Sequence, residues 1–565
     1  MAVNERVGLT WRTVRHMETH QPLDRLRLRG KLAVERAFPF VARRYLAAVE
    51  VPRVHWPVGF KSVDERIAES RTETVLDAGA IPVLGRRMNL IRDGFNTAEL
   101  PQLVAYHLHY WDWAWRFASV QRADRLEAFA ELYQTWRSAT DFPQGDAWSP
   151  YVVSLRAWSW CNQYRSMVEG GPVDADVRQQ LAVHFRFVRS HLERDVGGNH
   201  LLKNLKAWLA LAVFLGEESD AKKATCELVR QVEVQVLPDG GHFERSPAYH
   251  VQVLADLVDV QGLLLGVGQV PEAAQVGEAV DRMTSALAVL VDPGGQPILL
   301  NDGYPVATKM IETLAVSGNI DGSALLNDMG YARLKASRWL TLVDVGDPCP
   351  DSLPAHAQAD TLGCVVYHGD LRVASEVFTS VYAAGSQRSY ERSTAGHSTV
   401  EIAGQDSTEV WGAFRAGRRG RVHDVRFVNS GPEGASVSAW HDGYRHLAGR
   451  PTHHRRVTVD ATGVRVTDFL TARQRTPFVL RWHLDDYRYT YALAEGHQVG
   501  DDVSLTVSGP VEVTIVPGTQ GVGFEQLRDI HVLEARGVID GTVEVISRFS
   551  ESNDEERSLG YEGDA

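Results

Sequence analysis

Four short segments concentrate ionisable and polar side chains that neither a helical nor a strand period requires. The first is Gly197-Gly198-Asn199-His200-Leu201-Leu202-Lys203-Asn204. Two glycines precede a strongly apolar run, so Asn199 and His200 fall at the opening turn of a helix. Unbonded N–H groups and the helix dipole favour an anion there. Asn199 also suits the simpler role of N-cap. The second segment runs from Asp239 to His250. Asp239-Gly240-Gly241 reads as a turn and Ser246-Pro247 as a helix start. Neither explains why Glu244, Arg245, Tyr249 and His250 crowd together. The third is Gly396-His397-Ser398-Thr399, followed by Arg415, Arg418, Arg419 and Arg421, four cations in seven residues. These suit either a solvated loop or a strip that binds carboxylates or sulfates. The fourth is His441-Asp442-Gly443-Tyr444 with His453-His454-Arg455-Arg456, where His and Asp could ligate a metal without any established ligand spacing.

The elements that must position these groups differ between two halves. Up to about residue 350 the apolar period is helical: Val177, Leu181, Phe185, Val188 and Leu192 share one face, and 201–215 and 251–265 repeat the pattern. Trp111, Trp113, Trp115, Trp136, Trp148, Trp158 and Trp160 suit a helical core or a sugar-stacking groove. After about Ala355 the period becomes two. Val457/Val459 and Val464/Val466 flank Thr462-Gly463 as one hairpin, and Val503–Val507 and Val511–Ile515 flank Gly509-Pro510 as another. Asp347–Pro354 reads as the linker. The charged tail from Glu551 is expected to fray.

Composition excludes several classes. With 44% apolar and 23% charged residues the chain of 565 is an ordinary globular one. Its net charge of −13 argues against a nucleic-acid partner, which needs a basic footprint. Cys161, Cys226, Cys349 and Cys364 are too scattered for a thiolate metal site or a disulfide framework. No apolar run is long enough to span a bilayer, and no secretory signal is visible, so a cytoplasmic location is expected. Oligomeric state is not encoded in any pattern seen.

Taken together, Gly198-Asn199-His200-Leu201-Leu202-x-Asn204, Asp239-Gly240-Gly241-x-Phe243-Glu244-x-Ser246-Pro247-x-Tyr249-His250, Asn301-Asp302 and His441-Asp442-Gly443-Tyr444 resemble the heparinase II/III-type polysaccharide lyases, relatives of the alginate lyases. The resemblance runs from about Tyr106 to about Ser550. It implies an N-terminal incomplete (α/α) toroid, 1–350, followed by an antiparallel β-sandwich, 355–565. It also implies β-elimination on an acidic, uronate-containing polysaccharide or oligosaccharide, leaving an unsaturated uronate. Heparan-type, hyaluronan-like, alginate-like and bacterial exopolysaccharides all fit. In that resemblance Asn199 and His200 hold the uronate carboxylate, and Tyr249 is the proton donor. His397 reaches into the cleft as base or carboxylate-neutraliser, the base being either Tyr249 or His397. Arg156, Arg245, His250 and Tyr304 are expected substrate contacts. No cofactor is required for this chemistry. Thr399 stands where such lyases often carry a second, metal-binding histidine. A structural divalent metal in the β half therefore depends on a variant set such as His423, Asp424 and His441.

Two other readings remain at this stage. A glycoside hydrolase on an α/α toroid needs two carboxylates about 5–10 Å apart; Glu244 with Asp302 or Asp112 is the nomination. A catalytically silent carbohydrate-binding or assembly protein needs no acid or base.

Overall fold

The computed structural model describes residues 3–46, 50–70, 80–140, 142–143, 145–314, 320, 322–485, 491–493, 496–499 and 502–552. The tail predicted to fray lies outside the described residues from 553 onward.

The first half is helical. Helix Gly198–Leu215 is buried on nearly all sides and packs against Pro150–Met167, Asp174–Ser190, Glu218–Gln235 and Pro247–Gly266. Its sequence explains this: after Lys206 no residue to Leu215 is charged, so it needs neighbours all round. The early tryptophans named above are all buried in this core. No helix among the described residues is long and apolar enough to cross a membrane.

Among the described residues, the second half holds a 15-stranded antiparallel sheet whose longest strands are Gly463–Leu484 and Gln526–Glu551, paired along most of their length. The strands Tyr331–Ala336 and Trp339–Asp344 also pack across onto Ala435–His441 and Thr452–Asp460, giving two stacked layers. The hairpin around Thr462 is present, with Val459 opposite Val464. The second expected hairpin is not. Val503–Ser508 and Val511–Gly523 each pair with Gln526–Glu551, at successive stretches of that one strand, instead of with each other.

The boundary also lies earlier than expected. The sheet begins at Ala324–Leu326, so Asp347–Pro354 is a loop within the β half and not the linker. The reason is that these first strands sit between two cores. Tyr331, Leu340, Leu342, Val365 and Tyr367 pack into the helical core. Ala332, Leu334, Val343, Cys364 and Val366 pack into the β core. Burial on both faces removes the apolar–polar alternation that marks a half-exposed strand.

Candidate active site

A cleft of about 1150 Å³ opens between the two halves, lined by Asn199, His200, Tyr249, Tyr304, His356 and Tyr382 among others. Asn199 and His200 reach it because Gly197 and Gly198 adopt φ of 73° and 50° before the helix starts. The cap of that helix is not Asn199 but Glu244 from a distant turn, whose Oε1 accepts the Asn199 N–H at 2.8 Å. A Cβ on Gly198 would lie 2.4 Å from that same oxygen, so glycine makes room for the cap. The Asn199 side chain is thereby released: it is buried and its Oδ1 has no hydrogen-bond partner.

His200 packs against Tyr151, the two rings tilted at 32° with their centroids 4.2 Å apart. Its Nδ1 lies 3.2 Å from Glu193 Oε1, while Glu193 Oε2 accepts from Asn204 Nδ2 at 3.0 Å. The carboxylate therefore holds the ring with Nδ1 as donor and leaves Nε2 for the cleft.

Tyr249 sits in the first turn of helix Pro247–Gly266. Its hydroxyl is 3.4 Å from that of Tyr382, its ring stacks on His356 at 3.7 Å, and Tyr304 meets it edge-on at 5.9 Å. Burial, with two phenols and Asp302 close by, pushes the Tyr249 phenol well above its ordinary value, so it carries its proton at neutral pH.

His356, which sequence reasoning passed over, ties the site together. Its Nε2 lies 3.1 Å from Glu244 Oε2 and its Nδ1 3.1 Å from Asp302 Oδ2. Burial alone would depress its pKa, but the hydrogen bonds to Asp302 and Glu244 and their charges raise it to about 9. Burial likewise works against ionising Glu244, yet His356, His242 and the Asn199 N–H hold it down to about 2. Asp302 is drawn below the usual carboxylate range, against its burial, by Arg388 at 2.7 Å and by His356. The centre is thus an imidazolium between two carboxylates beneath the tyrosine. The one sign in the sequence was a histidine in an otherwise small-residue loop, Pro354-Ala355-His356-Ala357.

Several expected site residues lie elsewhere. His397 does not line the cleft: it is 1% exposed, and its Nδ1 hydrogen-bonds Glu376 inside the β half. Arg156 is enclosed by Trp136, Trp148 and Trp160, with its guanidinium carbon 4.7, 5.4 and 5.7 Å from their ring centres, so it serves the helical core. His250 is fully buried; its Nε2 donates to the Met283 carbonyl at 2.9 Å and its Nδ1 accepts the His242 N–H. Arg245 has φ of 59° and sends Nη1 to the Asp347 carbonyl at 2.6 Å, away from the cleft. Tyr304 does line the cleft and accepts from Gln252. Of the arginine cluster, Arg415 and Arg419 line the cleft with Arg25 and Arg29, whereas Arg421 pairs with Asp347 and Asp351.

The variant metal set does not fit a metal. Thr399 Oγ1 donates to the Thr361 carbonyl at 3.0 Å. His441 is engaged with His453 at 3.2 Å, Asp424 accepts from the Trp440 indole at 2.7 Å, and His423 lies 3.3 Å from Asp442. As a hydrolase pair, Glu244 and Asp302 fail on protonation: one imidazolium holds both ionised, so neither has a proton for a leaving group; the other nominee, Asp112, also lines the cleft, and burial raises its carboxyl.

Comparison with known proteins agrees with this architecture. Residues 101–317 match a family model described as heparinase II/III N-terminus, and residues 321–529 one described as heparinase II/III-like, C-terminal. Among curated proteins, the FtsZ-localized protein C of Caulobacter vibrioides is 26% identical over 466 residues, 78% of this chain and 77% of its own length. Among solved structures, a heparinase III aligns with a TM-score of 0.69 at 14% identity, over 91% of this chain and 89% of that one. A mutant of heparan sulfate lyase HepC from Pedobacter heparinus aligns with a TM-score of 0.60 at 15% identity, over 93% and 89%. At these identities the structural matches establish the fold, a helical toroid followed by an antiparallel β domain.

Proposed function

The chain belongs to the heparinase II/III family, and from that premise we propose that it is a polysaccharide lyase that cleaves a uronate-containing chain by β-elimination in the cleft between its halves. The observation that carries this reading is the protonated Tyr249 facing the same cleft as Asn199 and the Glu193-oriented His200. An elimination needs its carboxylate neutralised, its C5 proton removed and its O4 leaving group protonated. The amide of Asn199 donates to the uronate carboxylate and stabilises the charge that develops there. With His397 withdrawn and Tyr249 holding its proton, the base is His200: Nε2 takes the C5 proton and the C–H electrons form the C4=C5 bond. The C4–O4 bond breaks, and O4 takes the proton of Tyr249. His356 fixes the face of the Tyr249 ring, and its positive charge favours the phenolate that results. Arg415 on the cleft wall suits further anionic groups along the polymer.

The test is a panel of acidic polysaccharides scored for the ultraviolet absorbance of the conjugated uronate. At least one substrate should give product, and Tyr249→Phe should lower turnover ~100-fold or more, the usual cost of losing a proton-transfer group. Near-wild-type turnover in that variant would refute the role of Tyr249. A second reading, a non-catalytic assembly role, is favoured by one observation, the relative named for localisation with FtsZ. It predicts no absorbance on any substrate.

A further inference from the structure

We propose that Asp360, Glu376 and His397 form a binding site for one divalent transition-metal ion inside the β half. The three residues come from separate segments: the loop before strand Cys364–His368, the residue after strand Leu371–Ser375, and the residue after the turn Thr394–Gly396. They nevertheless bring one donor atom each to within 4.8 Å of one another. No other three His, Cys, Asp or Glu side chains converge in this way among the described residues.

Burial makes the cluster more than an acidic patch. Asp360 is 0% exposed, and Glu376 and His397 are each 1% exposed. Both carboxylate oxygens of Asp360, Oε1 of Glu376 and Nε2 of His397 lack any hydrogen-bond partner. Buried acceptors are almost always satisfied, so four orphaned atoms at one point need an explanation. The buried guanidinium of Arg455 does not supply it. It is committed to Asp468 at 2.7 Å and to the carbonyls of Leu362 and Ser398. The backbone is also shaped around the cluster: a Cβ on Gly363 would lie 2.5 Å from Glu376 Oε1. A dication answers both the unpaired negative charge and the unused lone pairs. One imidazole with two carboxylates suits zinc or manganese better than the all-oxygen ions calcium and magnesium. The set shares no residue with His423, Asp424 and His441. Its consequence is structural: Glu376 leads directly into Thr379, Ser380 and Tyr382, which line the cleft wall, so the ion would fix that wall. The inference does not depend on the lyase reading.

The test uses the full chain, first treated with a chelator and then titrated calorimetrically with Zn²⁺, Mn²⁺ and Ca²⁺ separately, with metal content of untreated protein measured by mass spectrometry. Zn²⁺ or Mn²⁺ should bind at one equivalent and raise the melting temperature, and Ca²⁺ should bind at least ~10-fold more weakly. Asp360→Asn and Glu376→Gln should each weaken binding at least ~10-fold and abolish the metal-dependent rise. Failure of the wild-type chain to bind either transition ion would overturn the proposal whatever the variants do. So would tighter binding of Ca²⁺, binding unchanged by both substitutions, or an Asp360→Asn variant that melts higher than the metal-free wild type and takes up no metal, since that marks a site holding a shared proton instead.

Discussion

Glu193 is the residue whose chemistry can be tested most cleanly. Asn204 presents Nδ2 to it because Asn204 Oδ1 is already occupied by the Glu193 N–H at 2.7 Å. In Glu193→Gln the side-chain oxygen must therefore face Asn204, and its NH₂ must face His200 Nδ1. The imidazole then turns to the opposite tautomer, with a proton on Nε2, and can no longer accept one from C5. Turnover should fall by ~100-fold or more while KM and the melting temperature stay near wild type. A rise in KM at unchanged kcat would show that His200 binds substrate without abstracting a proton. The positions of Asn199, His200 and Tyr249 on the cleft were legible in sequence because each occupies a helix start among residues no period demands. His356 was not, since a single histidine in a loop carries no spacing. His397 misled for the converse reason: its motif was visible, but the burial that removes it from the cleft comes from distant strands.

The helix that begins at Gly198 depends on a cap supplied from 45 positions away. Gly198→Ala places a methyl group 2.4 Å from both Glu244 Oε1 and Leu353 Cδ2, at a φ of 50° that a side chain resists. The substitution should cost about 1–3 kcal/mol, read as a lower midpoint in chemical denaturation, and should lower activity further by moving Asn199. Gly197→Ala has an open site and the same sign of φ, so it should cost less. Unchanged stability in Gly198→Ala would mean that Glu244 is not the cap. Helical elements were readable from their one-faced or all-round apolar patterns. The strands from Ala324 to Asp344 were not, because each of their faces is buried in a different core. The pairing of Val511–Gly523 was not readable either, because one long strand offers successive stretches to both strands, while sequence adjacency favours pairing them with each other.

At the scale of the molecule, His356 and its carboxylates join the halves: Glu244 and Asp302 belong to the helical half, while Arg388, which also grips Asp302, belongs to the β half. This predicts a pH window for stability. The pKa of His356 is raised from 6.5 to about 9, so its contribution is complete below pH 6.5 and is lost as pH rises through about 9. Glu244 is lowered from 4.5 to about 2, so its contribution is complete above pH 4.5 and is lost as pH falls through about 2. Denaturation midpoints should be highest between those limits and drop on the alkaline side by on the order of 3 kcal/mol in unfolding free energy. His356→Gln should be less stable at pH 6 and should lose that part of the alkaline decline. An identical alkaline slope in the variant would show that another group causes it.

The central claim is that the cleft breaks a glycosidic bond without water. It is tested most directly by digesting an acidic polysaccharide in water enriched in ¹⁸O and weighing the products. The account predicts fragments that absorb in the ultraviolet, carry no heavy oxygen from the cleavage, and disappear with Tyr249→Phe but persist with Arg156→Lys. Fragments that incorporate ¹⁸O and lack the absorbance would contradict it.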